Sequence, residues 1–475
     1  MRVVLLSTYE LGRQPFGLAS PAAWLRRAGA DVTALDLSLQ RLDIGAVRAA
    51  DIVGFYLPMH TATRLAMPVI DAVRALNPAA RLCAFGLYAP LNADWLGEHG
   101  VAATCGAEFE PDLVRFAGLA IPPDARGSAA GTVSAGPSRL AVAKLEFIVP
   151  DRTGLPAPAR YAELHDGGVR RAAGYTEASR GCRHRCRHCP IVPVYDGQVR
   201  LVPADIVIAD VRQQVAAGAT HISFGDPDFF NAPSHADRVV TALHDEFPAL
   251  TYDVTIKVEH LLRHEKWLPR LAETGCLFVT TAAESVDDRT LAILDKGHTA
   301  ADFERAVRLA GDHGLTLAPT FLPFTPWSTT ETYVRLLDTI RRLDLVPNVA
   351  PIQLAIRLLI PRGSKLLGLP DVDAVVGAFD PGALAYPWTH PDADVDALQR
   401  EVMDIVGRRQ AASREDVFER VCEAAAGMAG HGGRGGGMSA AADAGGAGSA
   451  PGSRAGGTAP RPRTAVPFLN EPWYC

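Results

Sequence analysis

The 475-residue sequence lacks the features by which membrane-spanning, secreted and polycationic proteins are identified. No apolar run reaches the roughly 18 residues that a membrane-spanning helix needs, and the N-terminal segment Arg2–Ser7 has the pattern of a strand rather than of a signal peptide. The net charge of −6 disfavours nucleic acid and anionic membranes as partners. Eight cysteines are too few for a disulfide framework in a chain of this length. We therefore expect a cytoplasmic protein of roughly two or three domains.

Three of the cysteines share one short segment, in a Cys-x3-Cys-x2-Cys spacing. Cys182, Cys186 and Cys189 follow the turn Ser179-Arg180-Gly181 at the end of a predicted strand. This spacing can bring three thiolates to three corners of an iron–sulfur cube, and such clusters prefer thiolate ligands. The fourth iron then has no cysteine, and in an enzyme an open coordination position can bind a substrate or cosubstrate. A structural zinc site is the alternative, but no fourth ligand follows at zinc-finger spacing.

The cysteine spacing and its flanks resemble those of the radical S-adenosylmethionine (radical SAM) superfamily. The resemblance implies that Cys182, Cys186 and Cys189 hold a [4Fe–4S] cluster, whose fourth iron chelates S-adenosylmethionine (SAM). It implies that His188 lies against the adenine, and that a flavodoxin or ferredoxin supplies the electron. The basic residues within the loop are expected to offset the negative charge of the cluster. A binding or regulatory protein that carries a cluster or zinc without chemistry is the alternative of a different class.

Residues 1–119 alternate short apolar runs with amphipathic segments. This alternation predicts a parallel, doubly wound, flavodoxin-like sheet with its ligand crevice beyond the carboxyl ends of the strands. The predicted strands are 2–7, 31–36, 51–57, 80–86 and 101–105, and the predicted helices are 17–28, 61–76, 92–98 and 110–118. Such a domain ahead of a radical SAM core resembles the cobalamin-dependent branch of the superfamily.

The first loop departs from the best-known cobalamin pattern of that branch. Domains that replace the lower axial ligand of cobalamin carry Asp-x-His-x-x-Gly after the first strand, whereas this chain has Tyr9-Glu10-Leu11-Gly12-Arg13-Gln14. His60 follows a different strand, and we interpret it as a polar loop residue. Two hypotheses therefore stay open: cobalamin binds without a histidine ligand, or the domain is a vestige that packs against the core.

A second run of alternating strands and helices, residues 171–368, predicts a partial (β/α)6 barrel with functional groups at the carboxyl ends of its strands. The predicted strands are 173–178, 220–224, 252–256, 276–281, 315–321 and 352–358. The remaining segments are a linker and wrap at 120–170, a helical appendage at 369–428, a disordered Gly/Ala/Ser linker at 429–460 and an aromatic tail at 461–475.

The stretch after the second barrel strand is the predicted site for the amino group of SAM. It reads Phe224-Gly225-Asp226-Pro227-Asp228, and acidic groups with turn-exposed carbonyls suit a protonated amine. The stretch resembles the aspartate-rich form found in cobalamin-type members. Gly225, Asp226 and Asp228 are therefore candidate cofactor-binding residues, although the same letters also suit a tight turn.

The third barrel strand carries polar residues at alternate positions. Asp253, Thr255 and Lys257 fall on one face of that strand, so all three could point into the barrel as contacts to SAM or substrate. Lys257 and Glu259 could equally form an exposed pair at the end of the strand. We keep Thr255 and Lys257 as candidates.

Two later segments complete the candidate site. Glu284-Ser285, followed by Lys296-Gly297-His298-Thr299, resembles segments common after the fourth strand of the superfamily, where Glu284 would approach the SAM ribose or carboxylate. Arg357, on the sixth predicted strand, is the basic residue best placed for a carboxylate, with pairing to a neighbouring acid as the alternative.

The C-terminal tail ends in Glu471-Pro472-Trp473-Tyr474-Cys475. It resembles the start of the tail in a radical SAM family named for ending in Cys-Sec-Ala-Glu-Pro or Cys-Cys-Ala-Glu-Pro. We expect Cys475 to act as a redox group at the barrel mouth, and we expect the natural chain to continue with selenocysteine, whose UGA codon is easily misread as a stop. The substrate, a small molecule or a peptide, cannot be identified from the sequence.

Overall fold

The N-terminal part of the chain forms a five-stranded parallel sheet. The computed structural model describes residues 1–121, 146–407, 413–432 and 468–469. The strands are β1 (Arg2–Ser7), β2 (Asp31–Asp36), β3 (Ile52–Tyr56), β4 (Arg81–Phe85) and β5 (Ala103–Cys105). Their order is β2-β1-β3-β4-β5, which is the flavodoxin-like order, and its ligand crevice lies where β1 and β3 diverge.

Helices cover both faces of this sheet, as the predicted doubly wound fold requires. They are α1 (Phe16–Arg27), α2 (Ile44–Ala49), α3 (His60–Leu76), α4 (Ala93–Glu98) and α5 (Phe109–Phe116). Trp24 of α1 belongs to the hydrophobic cluster on one face, and Ile70 of α3 belongs to the cluster on the other. Helix α2 was not predicted, and its start is fixed by Asp43, whose carboxylate accepts the Ala46 N–H at 2.9 Å.

The second unit is an open, mostly parallel sheet. Its strands are β6 (Glu163–Asp166), β7 (Val169–Thr176), β10 (His221–Phe224), β11 (Thr251–Thr255), β12 (Cys276–Glu284), β13 (Leu317–Phe321) and β14 (Phe468–Leu469); β8 (Ser179–Gly181) and β9 (Val199–Leu201) form a separate ribbon. The order is β13-β12-β11-β10-β7-β6-β14; β6 pairs antiparallel with both β7 and β14, and the other described pairs of this sheet are parallel. The half-barrel fold class is thus confirmed.

The predicted sixth strand, 352–358, is wrong for most of its length. Residues Pro351–Leu354 form a 3₁₀ turn, and only an isolated parallel bridge between Phe324 and Arg357 marks the sixth position. The physical reason is local: Pro351 has no N–H to donate, and the Gln353 side chain accepts the Phe321 N–H at 3.0 Å, a group that a sixth strand would otherwise pair.

The helices of the second unit alternate with its parallel strands. They are α6 (Val192–Tyr195), α7 (Ala204–Ala216), α8 (Pro233–Glu246), α9 (Val258–Arg263), α10 (Leu268–Glu273), α11 (Asp288–Leu294), α12 (Ala300–Asp312), α13 (Thr330–Arg342), α14 (Pro370–Asp373), α15 (Ala393–Gly407) and α16 (Arg414–Gly432). The sequence pattern predicts one helix over 260–274 but does not predict α6 or α14, and a 3₁₀ turn at Glu265–Trp267 separates α9 from α10.

The C-terminal helices are part of the barrel core rather than a loose appendage. Phe418 and Val421 of α16 share a hydrophobic cluster with Tyr333 of α13 and Leu354. Helix α16 runs to Gly432, which is into the segment predicted to be disordered; the rest of that segment lies outside the described residues. In the described part of the chain, no helix is both long enough and apolar enough to cross a membrane.

Candidate functional site

The three clustered cysteines lie in a loop at the carboxyl end of the barrel sheet, directly after β8. Gly181 makes the turn into this loop with φ of 76°, and a Cβ there would lie 2.3 Å from the Gln198 carbonyl oxygen, so only glycine fits. Asn231 then accepts the Arg183 N–H at 3.1 Å, and the Leu294 carbonyl accepts the Arg187 N–H at 2.9 Å. The loop is therefore held from two neighbouring strand–helix units.

The cysteine sulfurs are largely shielded from water and are not paired in disulfides. Cys182 and Cys186 are buried and Cys189 is partly buried. Burial raises the pKa of the Cys182 thiol to about 12 and that of Cys189 to about 11. Such thiols lose their protons when a metal ion replaces them. Three soft donors without a fourth cysteine in the described loop fit a cluster with one open iron.

Two buried lysines, from other elements, supply positive charge beside the cysteines. The Lys257 ammonium lies 3.7 Å from the Cys186 sulfur, and Lys296 is also buried and interacts electrostatically with Cys186. The arginines within the loop point elsewhere: Arg187 donates to the Ile293 carbonyl at 2.6 Å, and Arg185 donates to the Asp196 carbonyl at 3.1 Å. The expectation that the basic residues of the loop offset the cluster charge therefore stays a prediction, with Lys257 as the ammonium seen beside a cysteine sulfur.

Glu284, His188 and Lys296 form a compact charged group at the end of β12. One Glu284 carboxylate oxygen lies 3.2 Å from both His188 Nε2 and the Lys296 ammonium. Burial acts to raise the pKa of Glu284, but the Lys296 charge and the His188 hydrogen bond outweigh it and hold this pKa below its usual range. Glu284 also takes a positive φ of 64°, which strains a non-glycine residue. The sequence-predicted pair His188 and Glu284 is thus brought into direct contact.

The two aspartates after β10 have their side chains committed within the protein. Asp226 accepts the Ala178 N–H at 2.9 Å and the Ser179 hydroxyl at 2.5 Å, and burial raises its pKa to about 7. One oxygen of Asp228 caps the following 3₁₀ turn by accepting the Phe230 N–H at 3.1 Å. Acceptors for an amine at this position are then the backbone carbonyls of the stretch.

The remaining predicted site residues divide between the site and its surroundings. Thr255 ends β11 half-buried, and Lys257 follows it into the buried site rather than outward. Ser285 accepts the Asp287 N–H at 3.1 Å and so shapes the turn into α11. Arg357 pairs with Asp396 at 2.6 Å and stacks 3.5 Å above the Trp388 ring, which is the neighbouring-acid alternative. Cys475 lies outside the described residues.

A cavity of about 230 Å³ separates the loops of the N-terminal sheet from the mouth of the barrel sheet. On one side it is lined by the loops after β1, β3 and β4, and on the other by residues at the ends of β7, β8 and β10; the lining includes Glu10, Arg13, Tyr56, Met59, Leu87, Tyr175, Glu177, Arg180 and Gly225. Gly225 is required here, because a Cβ would lie 2.0 Å from the Tyr175 hydroxyl. The cavity therefore occupies the predicted crevice.

The cavity lies where a flavodoxin-like domain binds its cofactor, and its buried polar groups could bind the amide groups of cobalamin. One Glu10 carboxylate oxygen is buried without a hydrogen-bond partner, and Arg13 Nε is in the same situation, so both could bind the amide groups of a corrin. No histidine lines the described cavity, and His60 Nε2 is instead 2.5 Å from the Ala383 carbonyl. The volume is below the roughly 300–1,000 Å³ of drug-sized ligand sites, so a corrin requires the lining side chains to move apart.

A buried ionic network, which the sequence reasoning missed, joins the two units beside this cavity. The Arg180 guanidinium donates to Glu110 at 2.7 Å, to Glu177 at 2.9 Å and to Glu108 at 3.3 Å. Arg180 is only 6% exposed, and Glu110 of α5 is fully buried. In sequence, Arg180 reads only as part of a turn, and Glu110 is distant in the chain, so no local signal reveals the pair.

Comparison with known proteins finds one family model that matches part of the barrel sheet. Residues 176–340 match the family model described as "Radical SAM superfamily". No curated protein matches the chain. The matched residues include the three-cysteine loop and the parallel strands from β10 to β13, so this part of the chain is similar to radical SAM domains.

Two solved structures are similar in fold to most of the chain, across both units. TsrM from Kitasatospora setae, a radical S-adenosylmethionine methyltransferase with cobalamin and a [4Fe–4S] cluster bound, is 21% identical with a TM-score of 0.55, over 72% of this chain and 70% of that chain. OxsB, a cobalamin-dependent S-adenosylmethionine radical enzyme with aqua-cobalamin and S-adenosylmethionine bound, is 15% identical with a TM-score of 0.67, over 89% and 71%. At these identities the likeness is one of fold.

Proposed function

From the match of residues 176–340 to the radical SAM superfamily, we propose that this protein is a radical SAM enzyme that cleaves SAM reductively. The observation that carries the proposal is the loop with Cys182, Cys186 and Cys189, which offers three shielded sulfurs beside two buried ammonium groups. A [4Fe–4S] cluster held by these three cysteines would supply the electron for cleavage of SAM to methionine and a 5′-deoxyadenosyl radical, which is the species that takes hydrogen from substrates in this chemistry.

The residues around the loop have separable roles in this proposal. Lys257 and Lys296 lower the cost of placing anionic sulfur ligands in a buried site. His188 and Glu284, held together at 3.2 Å, present a polar edge where the adenine and ribose of SAM would lie. The backbone carbonyls after β10 would accept hydrogen bonds from the SAM amino group, because Asp226 accepts two hydrogen bonds within the protein and Asp228 faces His184 and His260.

The direct test is anaerobic reconstitution with iron and sulfide, followed by reduction and addition of SAM. We expect 5′-deoxyadenosine and a cluster spectrum that SAM perturbs, and we expect the Cys186→Ala variant to lose both. Cys422, which is distant from the loop in sequence and half-buried, provides the matched control as Cys422→Ala. If the reconstituted protein neither forms 5′-deoxyadenosine nor responds spectroscopically to SAM, it is instead a non-catalytic cluster or zinc protein.

We also propose that the cavity between the two units binds cobalamin, and that the protein is then a methyltransferase. The position at the β1/β3 crevice and the unpartnered polar atoms of Glu10 and Arg13 support this. When bound, cobalamin supplies a transferable methyl group. The cavity would hold cobalamin without a histidine, through apolar contacts with Tyr56 and Leu87 and through the buried polar groups of Glu10 and Arg13.

Purification with hydroxocobalamin tests this second part separately. We expect a visible cobalamin spectrum that survives desalting, and we expect Leu87→Trp, which fills the cavity, to weaken binding at least tenfold. Leu39→Trp, at an exposed position, should leave binding unchanged. A colourless protein after this treatment would favour the vestigial domain, while leaving the SAM-cleavage test intact.

For the tail, we propose that Cys475 acts at the barrel mouth, as in the selenocysteine-tailed family that the sequence resembles. Strand β14 pairs antiparallel to β6, so it runs parallel to β7 and toward the cysteine loop. Leu469 lies opposite Leu164 of β6, and Leu164 in turn lies opposite Arg171 of β7. The six residues from Leu469 to Cys475 can span about 20 Å, which is enough to reach the end of β7.

A nitroxide attached to Cys475 measures this reach. In the reduced, reconstituted enzyme we expect strong relaxation of the nitroxide by the paramagnetic cluster, as at a separation of about 20 Å or less. The same label placed at position 39, in a Leu39→Cys variant that also carries Cys475→Ser, should be relaxed far less. Equal relaxation at both positions would contradict a tail that reaches the mouth.

A further inference from the structure

Three metal-binding side chains converge beside the cysteine loop, in a group that the cluster chemistry does not use. His184, Asp228 and His260 each bring one ligand atom to this place, and these atoms all lie within 4.8 Å of one another. Asp228 Oδ2 is 2.7 Å from His260 Nδ1 and 3.3 Å from His184 Nε2. Ligands of a tetrahedral zinc ion at about 2.0–2.1 Å are separated by roughly 3.3 Å, which the Asp228–His184 separation matches, whereas the Asp228–His260 pair must move apart by a few tenths of an ångström to admit the ion.

The three ligand atoms are buried and lack hydrogen-bond partners. The Asp228 side chain is fully buried, and those of His260 and His184 are 5% and 14% exposed. None of His184 Nε2, Asp228 Oδ2 and His260 Nδ1 has a hydrogen bond of good geometry, and among the described residues the polar contacts of these atoms are the two Asp228–histidine ion pairs. Buried polar atoms that converge without bonding to each other are costly unless a ligand satisfies them.

The surroundings of these atoms match the outer shell of a metal site. The other ring nitrogen of His184 lies 3.5 Å from a Glu259 carboxylate oxygen, which is the carboxylate–histidine arrangement that fixes a ligating imidazole. The second Asp228 oxygen accepts the Phe230 N–H at 3.1 Å, so the ligating carboxylate is itself held by a hydrogen bond. Two of the three ligands, His184 and Asp228, therefore each have a polar partner outside the group of three.

The three ligands come from separate elements of the fold. His184 belongs to the cysteine loop, Asp228 to the loop after β10, and His260 to α9, which follows β11. We propose that His184, Asp228 and His260 bind a divalent first-row transition metal, with zinc as the reference ion, in a mononuclear site apart from the cysteines. The ion ties the cysteine loop to two neighbouring strand–helix units. Two histidines and one carboxylate leave a coordination position for water.

The test measures zinc and iron together in the anaerobically reconstituted full chain, after zinc loading and removal of loose metal with a weak chelator. We expect about one zinc per chain beside about four irons. His260→Ala and Asp228→Asn should lose at least nine-tenths of the zinc and keep the iron; Asn at position 228 retains the oxygen that caps the 3₁₀ turn. His264→Ala, whose ring centre lies 5.1 Å from that of His260, is the matched control and should keep both metals.

A second measurement does not depend on these variants folding. Cobalt added to the wild-type chain, and to a variant with Cys182, Cys186 and Cys189 changed to Ala, should give visible d–d bands in both. The cysteine-free variant should lack the near-ultraviolet band of a thiolate–cobalt bond. Zinc below about one-fifth per chain in the wild-type holoprotein, or zinc retained by His260→Ala, would show that the three side chains form only a proton-sharing network and would overturn the metal site.

Discussion

The Arg180 network offers the sharpest test of how the two units are joined. Changing Arg180 to Met keeps an unbranched apolar side chain but removes the guanidinium, whose central carbon lies 5.7 Å and 5.5 Å from the ring centres of Phe16 and Phe109. Glu110, fully buried, then loses donors at 2.7 Å and 3.0 Å, and Glu177 loses its donor at 2.9 Å. The variant therefore leaves uncompensated carboxylates in the interface.

The expected cost follows from this burial. Removing one partner of a buried ion pair costs about 3–5 kcal/mol, because the other charge stays buried without compensation. At roughly 2–4 °C per kcal/mol for units of this size, the apparent melting temperature should fall by about 6–20 °C. A second change, Glu110→Gln, should recover part of the loss, since it removes the charge that the first variant stranded.

Thermal unfolding of the apo protein at pH 8 and pH 6 is the assay. Burial raises the pKa of Glu108 to about 7 and also raises that of Glu177, so acidification neutralises the stranded carboxylates. The deficit of the Arg180→Met variant should therefore be larger at pH 8 than at pH 6. Arg212→Met breaks an exposed pair with Glu246 and should change the melting temperature little. An Arg180 variant that melts like Arg212→Met at pH 8 would refute the reasoning.

Two further predictions concern single charges. Burial raises the pKa of Glu10 from 4.5 to about 8, so between these pH values the folded state keeps a proton that the unfolded state loses. The free energy of unfolding therefore falls as pH rises through this range. Glu10→Gln should raise the melting temperature at pH 8 and leave it unchanged near pH 4.5. Lys257→Met should make the cluster midpoint potential more negative by on the order of 100 mV, from one unit charge at roughly 5 Å and a dielectric constant of about 20. Redox titration measures this shift, and Lys266→Met, at an exposed position, should show none.

The strands were predictable wherever a buried apolar run was flanked by turns. Strands β1 and β2 match their predicted bounds, and β11 differs from its predicted bounds by one residue at each end. The failure at 352–358 has a different origin, because that apolar run packs as a turn in which the Gln353 side chain replaces a backbone acceptor. Periodicity reports which residues are buried, but it does not report which group satisfies a neighbouring strand's N–H.

In the candidate site, residues close together in sequence were predictable, whereas contacts between residues distant in sequence were not. The three cysteines are local in sequence, so their spacing was sufficient to predict a cluster loop. The groups that act on that loop come from elsewhere: Lys257 follows β11, and Lys296 follows α11. Arg185 and Arg187 lie within the loop in sequence, but they donate to the backbone carbonyls of Asp196 and Ile293. Backbone carbonyls need hydrogen-bond donors, and nearby arginines supply them.

The same reasoning explains why an aspartate-rich stretch was interpreted as a cofactor contact while its side chains face inward. Asp226 fixes the start of the cysteine loop through Ala178 and Ser179, and Asp228 faces His184 and His260. Both carboxylates therefore contact the cysteine loop or the residues just before it, and so help to set the position of the cysteines. A substitution such as Asp226→Asn, which weakens the acceptor for the Ala178 N–H, should accordingly lower cluster content before it lowers SAM affinity, and iron analysis beside SAM titration separates the two. Loss of SAM affinity at full iron content would instead show that the carboxylate contacts SAM directly.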